Sequence, residues 1–135
     1  MNDKALVKLA FEAREMSYSP YSNFKVGAAL RGKNGKIYTG CNIESAAYAP
    51  TNCAERTAFF KAISEGTTEF EAIAIVGGFD ETQVSLCHPC GVCRQVMAEF
   101  CKSDFRIIMA DEDYNLQICS LDDLLPYRFG PSNLK

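Results

Sequence analysis

The sequence predicts an α/β protein in which helices cover both faces of a mixed sheet of about five strands, a three-layer α/β/α sandwich. Three observations indicate this class: an early hairpin pattern, two apolar stretches without polar alternation, and helical periodicity before and between them. Residues 71–78 and 105–110 form the apolar stretches, which are typical of strands buried on both faces. The 135 residues can bury an ordinary core without disulfides, so we expect one domain spanning residues 1–135.

The first elements follow from local pattern. Apolar residues recur at helical spacing over the first sixteen or so residues, which predicts an amphipathic helix. A turn-rich segment ends this helix, and Asn34-Gly35 then separates two strand-like runs, residues 24–30 and 36–43. Because Asn-Gly favours the two-residue turns that connect antiparallel strands, these runs predict a hairpin.

The remaining elements alternate between helix and strand. Capping residues at 50–52 precede a predicted helix from Cys53 to Ile63, and Pro89 begins another that runs to about Lys102. The apolar strands at 71–78 and 105–110 follow these helices. A short strand at 116–119 and a short helix at 121–125, closed by Pro126, complete the prediction.

Charge and composition exclude several classes of protein. The chain carries 14 basic and 17 acidic residues, whereas domains that bind polymeric nucleic acid usually have basic stripes. Its longest apolar stretch, residues 72–79, is far shorter than a membrane span needs. Charged residues throughout the N-terminal region argue against a signal peptide, so we expect a cytoplasmic protein. Its seven cysteines therefore indicate metal binding or catalysis rather than disulfides.

Three of these cysteines have the spacing of a metal site. Cys90 and Cys93 lie three residues apart at a predicted helix start, where they share one helical face. Cys53 begins a different helix, so two positive helix ends would face one centre and favour deprotonated sulfur. Three thiolates in a near-tetrahedral array select zinc and leave a fourth position for water.

Two neighbours of Cys53 suit such a centre. Glu55 leaves the helix in a different direction from Cys53, so its carboxylate can border the fourth position and move the proton of an activated water. Arg56 is either a donor to the ligand sulfurs, offsetting their excess negative charge, or a solvated surface charge; spacing alone does not separate the two readings.

These motifs and three further blocks resemble the small homotetrameric zinc-dependent cytidine deaminases. The matching blocks are residues 20–30 (PYSNFKVGAAL), 40–44 (GCNIE), 53–58 (CAERTA), 89–96 (PCGVCRQV) and 124–126 (LLP) with Phe129. Their order and spacing make the resemblance specific over nearly the whole chain. It implies a hydrolase of pyrimidine salvage that converts cytidine and deoxycytidine to uridine and deoxyuridine plus ammonia, with one Zn²⁺ per subunit and no polymeric nucleic acid or membrane as partner.

The resemblance also implies roles for individual residues. Cys53, Cys90 and Cys93 would bind zinc, and Glu55 would transfer protons between the attacking water, N3 of the base and the leaving amine. Substrate-binding roles fall on Phe24, Asn42, Glu44, the Ala54 backbone N–H, Ala46, Tyr48 and Phe129. Of these, Ala46, Tyr48 and Phe129 would act on a neighbouring subunit's site, so each active site of the homotetramer would be shared.

Without the resemblance, several of these residues have simpler interpretations. Asn42 and Glu44 share a face of the predicted strand, where polar residues at sheet edges are common. Phe24 would be an ordinary core aromatic, and an aromatic such as Phe129 in a Pro/Gly-rich tail usually anchors the terminus.

The sequence departs from the family pattern at two positions. Ser45 stands where asparagine is common, and His88 stands where the family usually has serine or threonine before the proline. The family uses the backbone carbonyl of the latter position to hold the leaving amine, so the imidazole of His88 need not abolish activity.

Two alternative functions remain open at this point. Cys87 or His88 could complete a closed four-ligand structural zinc site, which would have no water and no need for Glu55. Blasticidin S deaminase shares the zinc motif, although the Asn42-Ile43-Glu44 block and Phe129 favour a nucleoside substrate. We interpret Cys41, Cys101 and Cys119 as buried thiols or as positions that vary within the family.

Overall fold

A computed structural model describes residues 1–80 and 83–135. Within these ranges the chain forms four α-helices and six β-strands. In chain order they are α1 (Asp3–Arg14), β1 (Lys25–Gly32), β2 (Ile37–Cys41), α2 (Ala54–Ser64), β3 (Phe70–Gly78), β4 (Val84–Ser85), α3 (Gly91–Phe100), β5 (Arg106–Ala110), β6 (Leu116–Ser120) and α4 (Leu121–Leu124), followed by a 3₁₀ turn at Pro131–Asn133. None of the described helices is long and apolar enough to cross a bilayer.

The strands form a mixed sheet in the order β2-β1-β3-β5-β6. Only β3 and β5 are parallel among these neighbours; the other three pairs are antiparallel. This confirms the predicted mixed sheet of about five strands. The additional β4 pairs with the end of β3 at Gly77 and Gly78, and its two residues are too few to give a periodic signal.

The core lies on both faces of this sheet, as the uninterrupted apolar strands predict. Along β3, Ala72, Ala74 and Val76 pack in the cluster that contains α1, whereas Ile73 and Ile75 pack in the cluster that contains α2 and α3. All five side chains are fully buried. Because successive strand residues point to opposite faces, one strand supplies both layers of the sandwich.

The predicted hairpin and its turn are confirmed. Gly35 has a φ of +83°, which glycine adopts without steric cost, and the Gly32 N–H donates to the Lys36 carbonyl at 2.9 Å. The predicted return strand was too long, however, because β2 ends at Cys41 rather than at Ile43. Ile43 instead forms isolated bridges with Tyr18 and Asn52.

The start of α2 is held close to β2 by a glycine. A Cβ placed on Gly40 would lie 2.4 Å from the Ala54 carbonyl oxygen and 2.6 Å from the Ala58 nitrogen. Real side chains do not tolerate such distances to backbone atoms. The absence of a side chain at Gly40 therefore lets the N-terminus of α2, with Cys53 and Glu55, sit directly against the sheet.

A buried arginine at the end of α1 was not predicted. Arg14 is 1% exposed, and its guanidinium donates to the Lys25 carbonyl at 3.0 Å and to the Gly78 carbonyl at 2.7 Å. These carbonyls lie at the start of β1 and the end of β3. The sequence pattern predicts only an exposed charge at a helix end for Arg14. It is buried because α1 packs on the sheet.

Candidate active site

Two helix starts bring the three predicted zinc ligands together. Cys53 is the N-cap of α2, Cys90 is the N-cap of α3, and Cys93 lies in the first turn of α3. Their three sulfur atoms all lie within 4.8 Å of one another, and those of Cys53 and Cys90 are 3.7 Å apart. Three converging thiols at two positive helix ends fit a zinc ion, because thiolate is its preferred soft ligand.

The thiols of this group share hydrogen bonds. A hydrogen bond from the Cys93 thiol, followed by contacts from Arg56 and Cys90, lowers the pKa of Cys53 to about 5. The same hydrogen bond to Cys53 raises the pKa of Cys93.

Arg56 contacts a ligand sulfur instead of projecting into solvent. Its Nη2 lies 3.4 Å from the Cys53 sulfur, and its Nε is buried without a hydrogen-bond partner among the described residues. Hydrogen bonding to Cys53 is also the largest cause that raises the pKa of Arg56. The geometry therefore favours the sulfur-donor reading of Arg56 over the surface-charge reading.

Glu55 is a buried carboxyl group beside these thiols. Its residue is 4% exposed, and burial raises its pKa to about 7, with the nearby charge of Cys53 as a further raising cause. A carboxyl group with a pKa near neutrality can both accept and donate a proton under physiological conditions. This is the property that a proton-transferring residue at a hydrolytic centre needs.

Glu55 lines a cavity of about 340 Å³, together with most of the other predicted site residues. The predicted residues that line it are Phe24, Asn42, Glu44, Cys53, Ala54, Glu55, His88 and Cys90; its other lining residues are Ser22, Val26, Thr51, Asn52 and Cys87. Cys93 lies behind this wall and is 1% exposed.

Asn42 lies beyond the strand on which it was predicted, and its side chain is fixed by hydrogen bonds. Its Oδ1 accepts from the Val26 N–H at 2.9 Å and from the Ser17 hydroxyl, and its Nδ2 donates to the Phe24 carbonyl at 2.7 Å. The residue is 9% exposed. An amide that is bonded in this way has a defined orientation at the cavity wall, unlike a polar side chain at a free sheet edge.

Glu44 is fixed by the loop that precedes β1. Its carboxylate accepts from the backbone N–H groups of Tyr21 and Ser22, at 3.0 and 3.1 Å, and from the Ser22 hydroxyl. The Ser22 hydroxyl is the main cause that lowers the pKa of Glu44. Glu44 therefore presents an ionised acceptor at the mouth of the cavity.

Phe24 and Ala54 line the cavity from different elements. The Phe24 ring is half-buried and packs edge-on against Phe79, with the ring centroids 5.1 Å apart. Ala54 is fully buried as the first residue of α2, so its backbone N–H belongs to the helix start, where amides lack intrahelical partners.

Neither proposed fourth ligand joins the thiol group. His88 Nε2 lies 2.8 Å from the Gln117 Oε1 on β6. The Cys87 sulfur packs beside Gly77 of β3, where a Cβ would approach it to 2.8 Å, and burial raises the pKa of Cys87 to about 12. Among the described residues, the metal-ligand group contains Cys53, Cys90 and Cys93 alone, which argues against a closed four-ligand site.

The three residues expected to act across subunits lie outside this cavity. Tyr48 is 77% exposed and lines an adjacent cavity of about 370 Å³ together with Glu44 and Ser45. Ala46 is exposed, and Phe129 is 60% exposed on the C-terminal segment. The remaining cysteines, Cys41, Cys101 and Cys119, are partly buried and unpaired.

Several residues that support the site without performing chemistry were not predicted from the sequence. Ser22 and Ser17 hold Glu44 and Asn42 by their hydroxyls, and Thr51 and Asn52 line the cavity. The position of Ser22 within the PYSNF block was an available signal, whereas nothing in the sequence marks Ser17.

Comparisons with known proteins agree with this geometry. Residues 1–109 match the family described as the cytidine and deoxycytidylate deaminase zinc-binding region. The chain is 46% identical to a cytidine deaminase of Sporosarcina psychrophila (99% of this chain, 96% of that protein). It is 47% identical to one of Halalkalibacterium halodurans (99% and 98%). A crystal structure of cytidine deaminase from Burkholderia pseudomallei superimposes with a TM-score of 0.88 at 46% identity, covering 96% of this chain and all of that one. The chain therefore belongs to the cytidine deaminase family of zinc-binding hydrolases.

Proposed function

We propose that the protein hydrolyses cytidine and deoxycytidine to uridine and deoxyuridine with release of ammonia. The observation that carries this function is a buried carboxyl group, Glu55, directly beside three converging thiols at a cavity of about 340 Å³. The 46–47% identity to curated cytidine deaminases over almost the full chain supports it.

Glu55 is the proton carrier of the proposed reaction. Zinc bound by Cys53, Cys90 and Cys93 supplies Lewis acidity that makes a water molecule reactive near neutral pH. Glu55 accepts a proton from the attacking water and donates it to N3 of the ring. It then accepts the proton of the new C4 hydroxyl and donates it to the amine, so that ammonia leaves as C4 becomes a carbonyl. Its burial favours the neutral form enough for the same group to act in both directions at neutral pH.

Asn42 and Glu44 form the proposed sugar-binding wall. One acceptor carboxylate and one amide, both held by the protein, suit the hydroxyls of a ribose or deoxyribose. At the other end of the cavity, the Ala54 N–H is the proposed donor to the base carbonyl, and Phe24 packs beside the ring. We propose that the backbone carbonyl of His88 accepts a hydrogen bond from the leaving amine. The imidazole of His88 instead contacts the Gln117 side chain.

The electrostatics of the cavity favour a nucleoside over a nucleotide. None of the described residues that line this cavity or the adjacent one is lysine or arginine, and Glu44 contributes a negative charge to both. A 5′-phosphate would therefore meet an unbalanced carboxylate instead of the cations that bind phosphate in proteins.

We further propose that the whole chain acts as one domain in a homotetramer with shared active sites. The exposure of Ala46, Tyr48 and Phe129 outside their own cavity supports this assembly, because it leaves these side chains available to a neighbouring subunit. The unpaired cysteines are consistent with a cytoplasmic enzyme of pyrimidine salvage.

The decisive experiment is ammonia release by zinc-loaded protein, measured separately with cytidine, deoxycytidine, deoxycytidine 5′-monophosphate and blasticidin S. We expect rapid release from both nucleosides and much slower release from the nucleotide and from blasticidin S. Preferred turnover of blasticidin S would contradict the sugar-binding role of Asn42 and Glu44. A protein with bound zinc that releases ammonia from none of the four compounds would contradict the proposed reaction itself.

A further inference from the structure

The C-terminal segment, residues 126–133, holds its aromatic side chain in an unusual way. Phe129 is 60% exposed, whereas the side chain of the preceding residue, Arg128, is only 17% exposed. A segment that serves only to anchor a terminus would bury its phenylalanine and leave its arginine in water. The observed arrangement is the reverse, so the contacts of this segment present Phe129 rather than bury it.

The backbone of Phe129 is attached to helix α3. Gln95 Nε2 donates to the Phe129 carbonyl at 2.8 Å. Gln95 lies on the exposed side of α3, two residues beyond the zinc ligand Cys93, so the contact fixes the tail relative to the helix that carries the metal site. This bond involves only the Phe129 backbone, so the Phe129 side chain stays free to contact another molecule.

Arg128 attaches the backbone on the other side of Phe129. Its Nη1 lies 3.0 Å from the Asp122 carboxylate of α4, and its Nη2 lies 2.6 Å from the Ser103 hydroxyl. One planar guanidinium thus joins two separate parts of the chain. Beyond Phe129, the Gly130 N–H donates to the Asn133 side chain at 2.8 Å, which closes the turn that follows.

The turn that precedes Phe129 requires such attachments. Tyr127 has a φ of +52° and is fully exposed, so its side chain makes no packing contacts that would compensate this sparsely populated conformation. The tethers of Arg128 and Gln95 compensate it instead. They turn the chain so that Arg128 is covered and Phe129 projects outward.

We propose that Gln95 and Arg128 are positioning residues that preorganise Phe129 for insertion into a neighbouring copy's substrate cavity. The inference rests on the shared active site of the proposed function. A tail that is already ordered loses less conformational entropy when its aromatic group packs on the substrate, so substrate binds more tightly. The two residues act on binding through Phe129, and they leave the proton transfers at Glu55 unchanged.

The test compares Gln95→Ala, Arg128→Met and Arg128→Lys with a matched control, Arg31→Met. Arg31 forms an ion pair with Glu71 that is remote from the tail, at 3.1 Å, and its side chain is covered to a similar extent, with 16% exposed. For each variant kcat and KM for cytidine, zinc content, oligomer size and Tm are measured. Phe129→Ala is studied alone and combined with Gln95→Ala.

We expect Gln95→Ala and Arg128→Met each to raise KM about fivefold, the effect of leaving roughly one residue's backbone free before binding, with kcat and zinc content unchanged. Arg128→Lys should recover part of this loss, because it retains the charge opposite Asp122. In the Phe129→Ala background, Gln95→Ala should have no further effect on KM, since the residue through which it acts is gone.

Three results would overturn the proposal in distinguishable ways. If Phe129→Ala raises KM but Gln95→Ala and Arg128→Met match Arg31→Met, Phe129 acts without these tethers and only the further inference is wrong. If Phe129→Ala leaves KM unchanged, the shared active site is wrong and the positioning role is wrong with it. Loss of zinc or kcat in Gln95→Ala, at unchanged KM, would assign it a structural role in α3 instead.

Discussion

The cavity beside Cys53, Glu55 and Cys90 differs from the C-terminal segment, residues 126–133, in how far its key side chain is exposed. The cavity lies at two helix starts packed against the sheet, and its buried carboxyl group, Glu55, is 4% exposed. The C-terminal segment lies on the surface and presents Phe129, which is 60% exposed. The first region therefore depends on packing within the chain, whereas the second leaves an aromatic group exposed on the surface of the single chain.

One side chain connects the two regions directly. Arg94 donates from Nε to the Pro89 carbonyl, immediately before Cys90, and from Nη1 to the Leu124 carbonyl at the base of the tail, both at 2.7 Å. Both regions are thus attached to α3, although one is buried and the other is exposed. Perturbing the cavity should affect turnover and stability, and perturbing the tail should affect substrate binding.

The largest effect is expected for Glu55→Gln, which keeps the shape of the side chain but removes its proton chemistry. We expect kcat to fall about 10²- to 10⁴-fold, the usual contribution of a positioned general acid–base group. Zinc content, measured by atomic absorption, should stay near that of the parent protein, because Glu55 is not one of the three thiol ligands. Turnover close to the parent rate would contradict the assignment of Glu55.

A smaller effect, on the free energy of unfolding, is expected when one glycine in each region is replaced by alanine. In Gly40→Ala the new Cβ would clash with the Ala54 carbonyl, so α2 must shift, and the free energy of unfolding should fall by about 1–3 kcal/mol. In Gly130→Ala the nearest atom, the Ala98 carbonyl oxygen, is 3.9 Å away, and the change should stay within about 0.5 kcal/mol. Urea unfolding of both variants measures the difference, and equal losses would contradict the contrast between the regions.

For the tail, Phe129→Ala should raise KM for cytidine about tenfold, within the range that loss of one aromatic–base stack gives. The value of kcat should change much less, because no proton transfer involves this ring. Phe60→Ala is a suitable control, since Phe60 is a similarly exposed aromatic, at 48%, on the surface of α2. An effect on kcat alone would place Phe129 in the chemistry and contradict the division of roles.

The smallest effect concerns an ion pair remote from both regions, Asp3 with Arg106, whose charged groups are 2.6 Å apart. The hydrogen bond from Arg106 lowers the pKa of Asp3 below its ordinary value of 3.8. The pair therefore contributes stability that is fully present above pH 3.8 and is lost as the pH falls through the lower, folded-state pKa. Because both groups are partly exposed, we expect Asp3→Asn to cost less than about 1 kcal/mol at pH 7.

Urea unfolding of the parent protein and of Asp3→Asn at a series of pH values measures this contribution. The difference between them should shrink towards zero as the solution becomes acidic. A difference that grows in acid would contradict the assigned direction of the pKa change.

Most of the fold was predictable because its signals are local. The Asn34-Gly35 turn, the two apolar strands and the helices predicted from Cys53 and Pro89 all follow from short patterns, and each is present, with the helices beginning at Ala54 and Gly91. Two details were not predictable. Strand β4 has only two residues, and β2 ends at Cys41 because the next segment pairs with Tyr18 and Asn52 instead of continuing the hairpin.

Residue type and spacing alone predict the three cysteine ligands, the neighbouring carboxyl group and the family. The tertiary structure sets the burial, the pKa values and the side-chain directions of those residues. Only packing buries Glu55 and raises its pKa, turns Arg56 onto the Cys53 sulfur, and points His88 at Gln117. Packing likewise covers Arg128 and leaves Phe129 exposed. Burial and side-chain direction depend on contacts between segments distant in sequence, and no local pattern records such contacts.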